Sequence, residues 1–163
     1  MGYTVAMTDI DHTLTAFDGL RDRDYAREGL MVLEGRLVIQ KALDCGVELV
    51  SLVTVPADAE EWSGRAEGRF PVVAVERARM ADIVGFGFHR GALALARRPV
   101  PMNTGNAMPG NALLLWNVTD PDNLGALARS AVALGAKTLY LGPGCADPYS
   151  RKPLRTSMGC VRS

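Results

Sequence analysis

LLLWNVTDPDNLGALARSAVALGAKTLYL, residues 113–141, is the stretch that decides the fold class. Three leucines and Trp116 make a short apolar run, expected to be buried. The polar loop Asn117-Val118-Thr119-Asp120-Pro121-Asp122-Asn123 follows, then an amphipathic run to Leu134, a glycine at 135, and a second apolar run from Thr138 to Leu141. Strand, loop, helix, strand is the βαβ unit of a parallel sheet. Open α/β sheets gather their ligands beyond the carboxyl ends of the strands, so the loop at 117–123 is the expected site.

Within the helix, Leu124, Leu127, Ala128, Ala131 and Leu134 recur at helical spacing and predict a core-facing stripe. Asn123 or Asp122 can cap the first amides, and Gly135 can end the helix. Arg129 falls off the stripe, one turn beyond Gly125, where a glycine leaves room for a ligand backbone beside the guanidinium. The helix N-terminus favours an anion nearby. An arginine so placed can hold a phosphate or bind and activate a ribose hydroxyl. A solvated helix arginine beside an ordinary Asn123 cap satisfies the same spacing.

The chain of 163 residues is long enough for one generous domain or two small ones, and its 48% hydrophobic content predicts a packed core. Basic and acidic residues number 18 each, so bulk charge does not point to nucleic acid. The halves differ. Residues 1–100 hold 12 basic and 15 acidic side chains; residues 101–163 hold 6 and 3. Beyond Asp147 only Arg151, Lys152, Arg155 and Arg162 carry charge, which makes a phosphate-facing patch or a merely solvated face. Cys45, Cys145 and Cys160 are widely spaced and form neither a CxxC pair nor a zinc pattern, so reduced cytoplasmic thiols are expected, with no metal. The N-terminus lacks the pattern of a secretory leader, and no apolar run approaches the ~18 residues that span a bilayer. A cytoplasmic protein without membrane contact is the expectation.

The first half reads as a smaller α/β unit. Residues 1–28 are polar and show little periodicity. From Leu33, with Leu37, Val38, Ala42 and Leu43, the pattern predicts a helix ending at Cys45-Gly46. Residues 47–55 are β-rich and stop at Pro56. A hydrophilic connector at 57–69 leads to a second β-rich run at 72–75, short helical residues from Glu76, a glycine-rich stretch at 85–91 and an apolar run at 92–96. Residues 97–111 hold three prolines, two glycines and three asparagines and read as a linker.

Two short motifs offer other chemistries. Asp9-Ile10-Asp11-His12-Thr13 matches the Asp-x-Asp-x-Thr loop of haloacid-dehalogenase-type phosphatases, but the preceding strand is weakly apolar, and two surface aspartates explain it as simply. Gly85-x-Gly87-x-x-x-Gly91 misses the spacing of a dinucleotide loop. His89 and Arg90 there can contact RNA or be satisfied locally.

The segment Asn117-x-x-Asp120-Pro121-x-Asn123-x-Gly125-x-x-x-Arg129-x-Ala131 resembles the first motif of the SpoU/TrmH family of SPOUT RNA methyltransferases. Cys145-Ala146-Asp147-Pro148-Tyr149-Ser150-x-Lys152-x-x-Arg155-x-Ser157-Met158-Gly159 is similar to that family's next block. Glu34-Gly35 and Gly85-Phe86…His89-Arg90-Gly91 resemble its L30e-like substrate-binding domain. The resemblance implies an α/β architecture: an N-terminal extension at 1–20, an L30e-like RNA-binding domain at 21–98, a linker at 99–111, and a partial, Rossmann-like SPOUT (α/β knot) domain at 112–163. It implies transfer of methyl from S-adenosylmethionine to a ribose 2′-hydroxyl of tRNA or rRNA. Arg129 would activate the hydroxyl and Asn123 would order the site, with Arg90, Arg151, Lys152 and Arg155 on the RNA and a homodimer as the full-length assembly. The family's donor-binding glycine loop and Ser-Leu-Asn block have no match here. The donor-binding residues are therefore expected beyond Ser163, and a truncated chain with weak or no activity is expected. A non-catalytic RNA-binding adaptor is the alternative.

Overall fold

The computed structural model describes residues 13–17, 21–84, 91–100 and 110–160. In chain order the elements are α1 (Asp22–Arg27), β1 (Leu30–Glu34), α2 (Arg36–Asp44), β2 (Leu49–Thr54), a 3-10 turn at Pro56–Asp58, α3 (Ala59–Ala66), β3 (Val72–Ala74), α4 (Arg77–Val84), β4 (Ala92–Arg97), β5 (Ala112–Leu115), α5 (Pro121–Ala133), β6 (Thr138–Leu141) and α6 (Arg151–Thr156).

The first sheet has the order β1-β4-β2-β3. Strand β4 runs antiparallel to both its neighbours, and β2 is parallel to β3. The run Ala92-Leu93-Ala94-Leu95-Ala96 is buried throughout, as a central strand covered on both faces requires. Its alternation separates two cores. Leu93 and Leu95 pack with Val32, Val53, Val73, Met80, Leu14 and Phe17, while Ala92, Ala94 and Ala96 lie among Met31, Leu33, Ile39, Leu52 and Trp62. Small residues on that face leave space for an indole.

Three expectations for this half are corrected. Leu33 belongs to β1, and the helix starts only at Arg36, because Gly35 at φ +95° breaks strand from helix. Residues 57–69 are not a bare connector: they hold the 3-10 turn and α3, whose fully buried Trp62 and Ala66 lie one turn apart. Two apolar positions are too few to show as a period. The segment before 28 contributes α1, anchored where the Tyr25 hydroxyl donates to the Ala16 carbonyl.

The second sheet pairs β5 with β6 in parallel, Ala112 to Leu115 against Thr138 to Leu141, as the βαβ reading predicts. Burial departs from expectation. Leu115 is buried, but Leu114 and Trp116 are 63% and 66% exposed, on a face of this sheet that no described element covers. On α5 the buried positions are Leu124, Gly125 and Ala128; Leu127 and Leu134 are exposed. The stripe is narrow because α5 meets a short helix, α6. That helix and the turn before it enter the first sheet's core: Tyr149 and Leu154 pack with Met31, Leu33, Val38 and Ala94. The two sheets are thus joined through one apolar cluster.

Candidate functional site

The loops beyond the carboxyl ends of β5 and β6 are laced together. Gly142 N–H donates to the Leu115 carbonyl (2.8 Å), Asn117 N–H to Pro143 (3.1 Å) and Ala146 N–H to Val118 (2.8 Å). The Cys145 thiol also donates to the Leu115 carbonyl at 3.4 Å. Asn117 sits at φ +57°, in the left-handed region that asparagine tolerates. Glycines at 142 and 144 suit this close approach, because a Cβ at either would meet the Trp116 ring or the Asn117 side chain.

Helix α5 leaves this platform with Pro121 in its first turn and Asp120 as its N-cap, the carboxylate accepting from Asn123 N–H at 2.8 Å. The cap is therefore Asp120, not Asn123 or Asp122. Asp122 is engaged elsewhere, accepting from the Thr156 hydroxyl of α6 at 2.9 Å. Two carboxylates in and before the first turn already answer the positive end of the helix, which corrects the expectation that this end invites an outside anion. Gly125 also differs from expectation. A Cβ there would lie 2.8 Å from both the Pro153 carbonyl oxygen and Thr156 Cβ, so the glycine admits α6 rather than a ligand.

Arg129 is exposed on α5 and has no ion pair or side-chain hydrogen bond among the described residues. Asn123 is exposed as well, with its backbone held by the cap. Six positions separate them, roughly 9 Å along the axis and about 120° around it, so they do not share a face. On α6, Lys152 is exposed and Arg155 partly so, whereas Arg151 is held: its Nε donates to Asp22 Oδ1 at 3.1 Å and its backbone N–H to Oδ2 at 3.2 Å. Arg90 and His89, the glycines at 85 and 87, Asp9 and Asp11 lie outside the described residues. So do Arg162 and Ser163, and with Ser163 the point beyond which the donor-binding residues are expected.

Sequence reading missed a clamp between the two sheets. Arg98, just past β4, pairs with Asp147 and lies over the Tyr149 ring at 5.1 Å, and Asp147 Oδ1 also accepts from Tyr149 N–H at 3.0 Å. A second such arginine, Arg36, sits over the Trp62 ring and pairs with Glu61 and Asp58; the hydrogen bond to Glu61 holds its guanidinium above the usual range. No spacing rule flags Arg98, because its partners lie about fifty positions on. Asp120-Pro121 was a readable signal, an N-cap residue before a proline that opens a helix.

No group of three or more His, Cys, Asp or Glu positioned to hold a metal occurs among the described residues. No helix among them is long and apolar enough to cross a membrane. A cavity of about 390 Å³ opens between α2 and the far end of α5 and β6, away from the laced loops.

The platform, the capped helix and the parallel strand pair form a βαβ ligand-site scaffold. Residues 110–163 match the SpoU rRNA Methylase family, and this part of the chain belongs to it. An uncharacterized tRNA/rRNA methyltransferase of Mycobacterium bovis is 32% identical over 135 residues, covering 81% of this chain and 47% of that protein. An AdoMet-bound rRNA methyltransferase from Sinorhizobium meliloti has the same fold, with TM-score 0.76, 23% identity, and coverage of 97% of this chain and 60% of that one. A crystal structure described as an RNA 2′-O ribose methyltransferase aligns at TM-score 0.68 and 27% identity, over 96% of this chain and 60% of that one. The chain thus spans about half the length of the curated relative and three-fifths of each structural neighbour.

Proposed function

We propose that the chain serves RNA methylation of the SpoU type, methyl passing from S-adenosylmethionine to a ribose 2′-hydroxyl of tRNA or rRNA. In this reading residues 21–98 form an L30e-like domain that grips RNA, and residues 112–163 form the ribose-facing part of a SPOUT domain without its knot. The donor-binding residues belong, in the same reading, to a longer form that continues beyond Ser163. Cytoplasmic RNA and a homodimer of that longer form complete it. One observation carries the reading: within the segment that matches the family, Arg129 stands exposed and unpaired among the described residues on the helix that follows the β5 loop.

The chemistry asked of Arg129 is local. Its guanidinium donates hydrogen bonds to the ribose oxygen and stabilises the negative charge that grows there as the hydroxyl becomes a nucleophile. Asn123 keeps the first turn of α5 in place through its capped backbone. Lys152 and Arg155 meet phosphates. Arg151 does so only by leaving Asp22.

The described residues do not fit the methyl donor. At the laced loops Gly142 lies against the Trp116 ring and Gly144 against the Asn117 side chain, while Leu114 and Trp116 face outward. The 390 Å³ cavity lies away from these loops. This same observation favours a second reading, an RNA-binding adaptor that does not catalyse.

Calorimetry with S-adenosylmethionine on the longer form, beside RNA binding measured against salt, separates the two. Donor binding supports the enzyme. RNA affinity that falls with salt, without donor binding, supports the adaptor. Absence of both contradicts each.

A further inference from the structure

Two of the three cysteines, 115 positions apart in sequence, line one cavity. Cys45 is the C-cap of α2, in the first sheet's half, and Cys160 follows α6 and Gly159. Both contribute to the wall of the 390 Å³ space between α2 and the α5–β6 end, with Lys41 and Lys137 beside them. The Lys41 ammonium, one helical turn before Cys45, donates to Cys160 Sγ at 3.6 Å and so holds that sulfur on the α2 side. Gly159 packs directly on α2: a Cβ there would lie 3.5 Å from Lys41 Cβ and 3.6 Å from the Val38 carbonyl oxygen. Cys45 and Gly159 also share the wall of the small neighbouring cavity. Cys145 is apart from this group, its thiol committed to the Leu115 carbonyl.

We propose that Cys45 and Cys160 are a redox pair that closes into a disulfide across this cavity, fastening the first sheet's half to the second. The oxidant is a hydroperoxide. The Cys160 sulfur attacks the peroxide: an S–O bond forms, the O–O bond breaks, and the leaving oxygen takes up a proton. The Cys45 sulfur then attacks the sulfenic sulfur of Cys160; the S–S bond forms, the S–O bond breaks, and water leaves. Two thiols and one hydroperoxide give one disulfide, one alcohol (water, when the oxidant is hydrogen peroxide) and one water. Both cysteines border the cavity, whose volume admits a small oxidant, and Cys45 is exposed to it. The link closes a loop of more than a hundred residues, so the oxidised chain resists unfolding.

The test treats the folded chain with hydrogen peroxide, blocks remaining thiols, and maps peptides without reduction. The expected product has lost the mass of its two thiol hydrogens, joins the Cys45 peptide to the Cys160 peptide, melts at higher temperature and reverts with dithiothreitol. Cys145→Ser keeps the link; Cys45→Ser and Cys160→Ser each abolish it. Lys41→Ala slows its formation several-fold. A link that uses Cys145, a covalent dimer in place of the internal link, or Cys160 carried to the sulfinic acid without a link overturns the proposal.

Discussion

At the scale of single residues, Gly125 shows how sequence position and structural role part. A glycine one turn before a candidate arginine reads as room for a ligand, but that room is filled by Pro153 and Thr156 of α6. Only a helix without a side chain at 125 lets the α6 backbone come this close. Gly125→Ala places a methyl 2.8 Å from a carbonyl oxygen, so we expect a loss of about 1–3 kcal/mol in urea unfolding. A neutral or stabilising substitution would refute this packing role. Arg129 is the converse case. It is exposed and unpaired among the described residues, so replacing it leaves stability within about 0.5 kcal/mol while the proposed function depends on it. That separation makes it a clean probe.

At the scale of elements, α5 rests on its cap. Asp120→Ala removes the acceptor of Asn123 N–H and should cost about 0.5–2 kcal/mol, read from the urea midpoint; Asp120→Asn should recover most of it. No loss on Asp120→Ala would mean that Pro121 alone suffices to start the helix. The elements also show what was legible beforehand. The parallel β5–α5–β6 unit and its Gly135 terminus could be read, since period, loop and glycine stop agree locally. The helix at 59–66 could not, because one tryptophan and one alanine hold it to the core. The exposure of Leu114 and Trp116 was hidden for another reason: an apolar run states what could be buried, and the layers around it decide what is. For the candidate site, the loop and its helix were visible, while the Arg98–Asp147–Tyr149 clamp depends on a contact that only the fold creates.

At the scale of the whole molecule, the two sheets unfold as one body. Tyr149 and Leu154 enter the core that also holds Trp62, and ion pairs Arg98–Asp147 and Arg151–Asp22 flank the entry. Shared apolar burial of this kind couples the halves, so urea unfolding followed by tryptophan fluorescence and by far-UV circular dichroism should give one coincident transition. Two separated transitions would show that each sheet stands alone. A rigid junction has a functional meaning in the proposed reading: RNA gripped by the first half is presented to Arg129 at a fixed distance. The most direct measurement is methyl transfer from labelled S-adenosylmethionine to tRNA and rRNA, followed by digestion to nucleosides, with the chain and its Arg129→Ala variant side by side. The account predicts label on ribose 2′-oxygens, weak with this chain and lost in the variant at unchanged stability. Label on a base, or equal 2′-O-methylation by both proteins, would contradict it.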